Sequence, residues 1–289
     1  MAAEKILVTG AATGFGKGFA FTLAEKGKDV IAGVETMSQV SALEKEAKEK
    51  GLSLQIEKLD ITNPADRKKA WKWDVRTLVN NAAIKEGGSL VDIPEENLYR
   101  QFDVNLTSQI LLTQGFARKM VKNKKGRIVF VSSQSGLKVS PFSGPYCASK
   151  FALEACAAAL SMELQEFNIE VATINPGSHL TGFNEREFET WKSWRDNPAE
   201  RVFDYSKLNF PNEQFEPEEL IEPAIRVILG ETSQYRNVIP EQVIPEIKYA
   251  QEEVWEKRTD ENLGQQHADV QKAYDIGYAI KEDDPTYTD

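Results

Sequence analysis

From residue 4 to about residue 175 the chain alternates short Val/Ile/Leu-rich runs with longer amphipathic stretches, and this alternation constrains the fold more than any single motif. A strand buried on both faces reads as an unbroken apolar run, and parallel neighbours need a crossover between them, usually a helix. The pattern predicts an α/β fold: a doubly wound parallel sheet with helices on both faces. Strands are expected near 4–9, 29–35, 53–59, 76–80, 126–132 and 169–174, with a weaker seventh at Arg236–Ile239. Helices are expected at about 14–26, 37–50, 95–122 (broken) and 145–167. Between Asp60 and Val75 there is room for only two or three helical turns, around Asp66–Trp73.

No Ser/Gly/Pro linker divides the chain before residue 180, so residues 1–289 are expected to close as one domain. Beyond it the pattern loosens. Residues 183–215 mix aromatics and charges without strand alternation and suggest a helical insert, with Phe188, Trp191 and Trp194 or Arg195 on one stripe. Pro217 and Gly230 bracket a further helix. A C-terminal helical extension at 241–289 carries a helix at about 243–258 and a tail, ending Glu282-Asp283-Asp284-Pro285, expected to order only against a partner.

Lys and Arg number 35 against 45 Asp and Glu, a net charge of -10, which argues against nucleic acid as a partner. Residues 211–289 alone hold 19 acidic and 7 basic side chains, read as a solvated rim. No apolar run is long enough for a membrane span, and Lys5-Ile6-Leu7-Val8 leaves no room for a signal peptide, so a cytoplasmic location is expected. Cys147 and Cys156 lie nine residues apart on one predicted helix, on opposite faces, and cannot pair within it. Both are expected reduced, with Cys147 open to alkylation. His179 and His267 are the only histidines and no zinc-type spacing occurs, so no metal is expected; His179 reads as a solvent-facing loop residue, with contact to a bound small molecule as the other reading.

Two local patterns carry chemistry. Thr9-Gly10-Ala11-Ala12-Thr13-Gly14-Phe15-Gly16 ends the first strand and opens the first helix, where free N–H groups can meet a pyrophosphate. Gly10 is assigned the tight turn, Gly14 the approach of the phosphates and Gly16 close helix packing. Tyr146 and Lys150, at i and i+4, share a helix face. A phenol becomes a base at neutral pH only when its phenolate is stabilised by about 4 kcal/mol, which nearby positive charge can supply.

These motifs, in this order, resemble the classical short-chain dehydrogenase/reductase family, a group of nicotinamide-dependent oxidoreductases on a Rossmann-type sheet. The likeness rests on Thr9–Gly16, Asn80-Asn81-Ala82-Ala83, Asn105, Ser132-Ser133, Tyr146-Cys147-Ala148-Ser149-Lys150 and Asn175-Pro176-Gly177 with Thr181. It covers about residues 4–182 and returns weakly at 217–240. Ala83 stands where the family usually has Gly, the crossover at 61–74 is short and the C-terminal part is long.

The resemblance implies a hydride transfer between nicotinamide and a secondary alcohol or ketone. Tyr146 is the acid/base, Ser133 binds the reacting oxygen, Lys150 holds the nicotinamide ribose and depresses the Tyr146 pKa, and Asn105 positions a water linking Lys150 to solvent. Cofactor contacts are carried to Gly10, Thr13, Gly14, Phe15, Gly16, Glu35, Asp60, Asn81, Ala82, Ala83, Tyr146, Lys150, Pro176, Gly177 and Thr181. Asp60 has strand capping as its other reading. Glu35 favours NAD over NADP, since a carboxylate repels a 2′-phosphate, although many NAD-dependent members place Asp one residue earlier, where Val34 stands here.

Two other functions fit parts of the pattern. A non-catalytic dinucleotide sensor has no chemical need for Asn105, Ser133, Tyr146 and Lys150 together. A sugar-nucleotide epimerase or dehydratase shares the Tyr/Lys pair but has a different glycine spacing. The segment 183–215 is expected to act as a lid over a hydrophobic or cyclic substrate. A small apolar face through Ala148, Ala152, Ala155 and Ala159 predicts a homodimer or homotetramer, with packing on the chain's own sheet as the alternative.

Overall fold

A computed structural model describes residues 4–283, with side chains to residue 275. Seven parallel strands form one sheet in the order β3-β2-β1-β4-β5-β6-β7. They are β1 (Lys5–Thr9), β2 (Val30–Val34), β3 (Gln55–Lys58), β4 (Val75–Asn80), β5 (Gly126–Val131), β6 (Ile169–Pro176) and β7 (Arg236–Ile239). The weak seventh strand is real, paired to β6 from Thr173↔Arg236 to Pro176↔Ile239. Strand order reverses between β1 and β4, which opens a crevice at the carboxyl ends of the strands.

The two-residue period of the strands divides the core. Ile6, Val8, Val129 and Val131 point into one apolar layer, covered by α1 (Gly14–Glu25), α2 (Met37–Glu49) and, from later in the chain, α8 (Glu218–Leu229). Leu7, Ile128 and Phe130 point the other way, against Leu112 and Phe116 of α5 (Ser108–Asn123) and Leu153 and Ala157 of α6 (Gly144–Glu163). Local chemistry sets the helix starts. A Thr36/Gln39 capping box opens α2, while the Asn63 side chain and Pro64 open the short α3 (Pro64–Ala70).

The long stretch at 95–122 is broken as expected. Helix α4 (Glu95–Phe102) joins α5 through a π turn, Asp103–Thr107. That turn includes the fully buried Asn105.

The segment 183–215 is only partly helical. Only Phe183–Glu187 (α7) is α-helical, followed by short 3₁₀ turns at 190–193, 198–200 and 205–207. Side-chain caps from Asn197 and Asp204 start separate turns, which prevents one continuous helix. Trp194, Tyr205 and Leu208 instead gather with Phe142 and Ala273 into a small core outside the sheet layers. Ala273 belongs to α10 (Ala268–Asp283), which with α9 (Ile244–Glu256) makes the C-terminal extension. The tail that ends in Pro285 runs beyond the described residues.

Candidate active site

Most of the motif residues converge on one cavity of about 2690 Å³ above the carboxyl ends of the strands, which also runs under the C-terminal extension. Its floor is the glycine turn. Gly10 sits at φ +64, and a Cβ there would lie 2.7 Å from the Ala82 Cα. A Cβ on Gly16 would meet the Gly10 carbonyl oxygen at 2.3 Å and Asn81 Nδ2 at 2.4 Å, so only glycine lets α1 start this close to the turn. Gly14, at φ +53, would have open space beside its Cβ, as a phosphate-facing position requires. Thr13 is the exposed N-cap residue of α1 and leaves the helix N–H groups without a side-chain cap.

Thr9 ties this turn to β4. Its hydroxyl donates to the Val79 carbonyl at 3.2 Å and accepts from the Asn81 and Ala82 N–H groups at 3.0 and 3.1 Å. The Asn81 amide donates back to the Thr9 carbonyl at 2.9 Å. Ala82 and Ala83 line the cavity beside it. At the end of β2 Val34 is buried in the core, while Glu35 is exposed on the cavity rim. Asp60 also lines the cavity, but one carboxylate oxygen accepts from the Thr62 N–H and hydroxyl at 2.9 and 2.7 Å, so it caps its own turn as well.

On the far side Pro176, Gly177 and Thr181 line the same cavity. His179 is not the solvent-facing residue expected. It is 2% exposed, packed edge-on to Phe15 at 5.3 Å, with Nδ1 on the Gly177 carbonyl at 3.0 Å, because the loop folds inward to pair with Phe215. Burial lowers its pKa. Cys147 is likewise buried, its thiol pushed up by desolvation, so it is not the alkylation target expected.

Tyr146 and Lys150 project from α6 into the centre. Lys150 is 1% exposed, donates to the Val131 carbonyl at 2.9 Å, and lies 5.7 Å from the Tyr146 ring centre. Burial brings its pKa down to about 8, against the pull of Glu154 one turn on. The Tyr146 phenol is shifted upward, first by burial and further by the Glu187 and Cys147 charges, with the Ser133 hydroxyl opposing. Desolvation dominates this shift, and Lys150 is not among its causes. Ser133 also accepts from the Ser135 N–H at 3.0 Å.

Asn105 is used structurally. Its amide donates to the Ile84 carbonyl at 2.9 Å and Ser149 Oγ at 3.2 Å, and its oxygen accepts from the Ile84 N–H at 2.9 Å. With both donors committed, the side chain fixes the loop segment that follows Asn81.

Sequence reasoning missed one pair. Lys85, with a side chain 6% exposed, lies 5.1 Å from the Tyr146 ring centre, and its ammonium meets Glu187 Oε2 at 2.6 Å. Neither position belongs to a motif, and nothing in a loop's sequence marks which of its charges turn inward. Among the described residues no group of three or more metal-type ligands occurs, and no helix is long and apolar enough to cross a membrane.

Comparison with known proteins agrees with this geometry. The short chain dehydrogenase family model matches residues 4–192. The chain is 30% identical to the 3-ketodihydrosphingosine reductase of Bacteroides thetaiotaomicron over 64% of its own length and 67% of that protein. It is 31% identical to dehydrogenase/reductase SDR family member 4 of Bos taurus, over 72% and 76%. Among solved structures, a short-chain dehydrogenase from Sphingobium yanoikuyae in complex with NADPH superposes with a TM-score of 0.69 at 21% identity, covering 92% of this chain and 99% of that one. The likeness seen in the motifs thus holds over most of the chain, which belongs to the short-chain dehydrogenase/reductase family and is an NAD(P)-dependent oxidoreductase acting on CH–OH groups.

Proposed function

We propose that the chain interconverts a hydrophobic or cyclic secondary alcohol and its ketone using NAD, with Tyr146 as the proton carrier. The observation that carries this reading is the placement of Tyr146, Lys150 and Ser133 at the carboxyl ends of β5 and β6, across one cavity from the glycine turn. The cradle suits a dinucleotide: uncapped N–H groups at α1, two close glycine contacts and an open Gly14. When bound, the nicotinamide supplies or takes the hydride at C4.

In reduction the ketone carbon gains a hydride and its oxygen gains the Tyr146 proton, yielding the alcohol; oxidation reverses both. A protonated phenol, which burial favours, is the form needed to donate. Ser133 donates to the oxygen on which charge develops. Lys150, buried and cationic below pH of about 8, stabilises the phenolate left behind. The aromatic lining, Phe183, Phe188, Phe210 and Phe142, supports an apolar substrate body.

Glu35 on the rim supports NAD. Lys58, the cation that feels Glu35 and Asp60, is held by Asp66 at 2.6 Å. Solved relatives at low identity are described with NADPH, so the discrimination is tested directly. A homodimer or homotetramer through α6 is part of the reading: Ala148 and Ala155 are exposed and Ala152 and Ala159 half-buried, while Leu153 and Ala157 face the chain's own sheet. A cytoplasmic location accompanies it, with both cysteines free.

Purified protein is mixed with NADH, then NADPH, and a panel of cyclic ketones, following loss of the reduced-nicotinamide absorbance. Turnover with NADH at the higher kcat/KM is expected. No turnover with either cofactor would remove the reductase assignment, and an NADPH preference would remove the NAD choice.

A further inference from the structure

Lys85 follows the Asn81–Ile84 segment directly and lines the cavity facing Tyr146. An ammonium carries three donors. One points to Asn184 Oδ1 at 2.9 Å and one to Glu187 Oε2 at 2.6 Å. The third meets no oxygen among the described residues, and the ammonium is left between the faces of Tyr146, at 5.1 Å, and Phe210, at 5.2 Å.

A buried ion pair in an aromatic pocket is costly, and replacing such a pair by apolar groups is often neutral or stabilising. Roof stability alone does not call for it here, since the same two segments are already joined elsewhere. Thr190 Oγ1 exchanges hydrogen bonds with both the N–H and the carbonyl of Gly87, and the Ser89 N–H donates to the Tyr205 hydroxyl at 3.0 Å.

We propose that Lys85 is a specificity-determining residue, whose free N–H binds a second, neutral oxygen of the substrate. That oxygen is a hydroxyl or carbonyl on the first or second carbon from the reacting one. The ammonium lies beside the ring that carries the reacting hydroxyl, so it reaches substituents a few bonds from the carbinol carbon. Charge balance selects the neutral class. Glu187 already compensates Lys85 at 2.6 Å, and a substrate carboxylate would bring a second negative charge into a site where the Glu187 side chain is 0% exposed. A hydroxyl or carbonyl accepts the third N–H without adding charge. Phe183 and Phe210 then enclose the apolar remainder.

This inference rests on the reductase reading above, and the test separates the two. Cyclohexanone and its α-hydroxy and β-hydroxy derivatives are reduced by the wild type and by the Lys85→Met/Glu187→Gln double variant, which removes both charges together. The expected result is that the wild type favours at least one hydroxy ketone over cyclohexanone, and that the double variant lowers this kcat/KM ratio by about ten- to a hundredfold, the worth of a hydrogen bond to a charged donor. Comparing ratios cancels the intrinsic reactivity of each ketone and any general loss of activity. If the double variant fails to fold, Lys85→Met/Glu187→Met, which fills the same gap with apolar groups and leaves no donor at position 85, takes its place with the same expected fall. Equal ratios in wild type and variant would overturn the inference alone and leave the pair as a clasp. A wild type that reduces none of the three would overturn the reductase reading and the inference with it.

Discussion

Two lysines with buried side chains lie close to the Tyr146 ring and belong to differently built regions. On the cofactor side, Lys150 donates to a backbone carbonyl and sits in a frame of β-strands whose contacts are mostly main chain and glycine. On the substrate side, Lys85 is compensated by a carboxylate and held by Asn184, in a roof of short turns joined by side chains. Backbone-built sites tolerate little change of residue type, whereas a roof stitched by side chains can change its stitches and its substrate. The cofactor half is therefore where single substitutions should be most damaging, and the roof is where they should redirect activity instead.

The largest effect expected is from Tyr146→Phe, which deletes the proton carrier and its hydrogen bond with Ser133 while keeping the ring and its packing. Turnover should fall by about 10²–10⁴-fold while NADH affinity stays within a few-fold, measured by steady-state kinetics and fluorescence titration. Retained turnover would break the comparison at its centre, since neither region would then be organised around Tyr146.

Lys150→Met sharpens it through pH. The folded-state pKa of Lys150, about 8, lies below the unfolded lysine value. The unfolded chain therefore binds more protons between about pH 8 and 10.4, and stability rises with pH over that window. The penalty is fully present below pH 8 and fades above it. Lys150→Met should accordingly gain up to about 3 kcal/mol relative to the wild type below pH 8, an advantage shrinking toward pH 10. A gap between the two denaturation curves that does not change with pH would contradict the buried-cation account.

Gly16→Ala tests the backbone character of the cofactor side. Its Cβ would meet the Gly10 carbonyl oxygen at 2.3 Å, and a main-chain atom cannot swing away. A loss of about 1–3 kcal/mol in stability is expected, with weaker cofactor binding. Gly14→Ala has open space for its Cβ but strains the backbone at φ +53, so it should cost about 1–2 kcal/mol of stability along with cofactor affinity.

Glu35→Arg tests the exposed rim of that half. Replacing the rim carboxylate by a guanidinium able to pair a 2′-phosphate should move the NAD/NADP ratio of kcat/KM toward NADP by about tenfold. An unchanged ratio would mean that the Glu35 side chain does not face the adenosine ribose.

The same contrast explains what was legible in the sequence. Strands, crossovers and the glycine turn are repetitive physics: apolar runs, capping residues and positions where a Cβ does not fit, each readable locally. Gly10, Gly14 and Gly16 are found this way because the backbone demands that residue type, whereas Asn81 is legible only through the family resemblance. The π turn at Asn105 was readable only as an interruption, since its cause is a side chain reaching Ile84, twenty-one residues away in sequence. His179 was misplaced because its burial depends on the Phe215 strandlet, and Lys85 and Glu187 because their pairing spans 102 positions, from one loop to another. Long-range pairings of that kind leave no periodicity behind.

The last prediction concerns how far the roof moves. Residues 184–205 are joined to 85–92 by the Lys85 pair, by Thr190 on Gly87, and by Asp92, which accepts from the Val202 and Phe203 N–H groups at 2.9 and 3.1 Å and from the Tyr205 hydroxyl at 2.9 Å. The two segments should therefore move together as one flap, hinged where Gly182 at φ +70 leads into α7. Between those stitches Lys192 and Arg195 are exposed. Trypsin should cut there in the free protein, and NADH with a ketone substrate should slow cleavage a few-fold by holding the flap closed against water. Lys124 and Lys125, exposed in the turn before β5 and away from the cavity lining, provide the internal control. Protection at 192–195 with unchanged cutting at 124–125 is the expected pattern. Equal rates at both places with and without ligands would make the roof a rigid wall, and the difference between the two regions would then lie in chemistry alone.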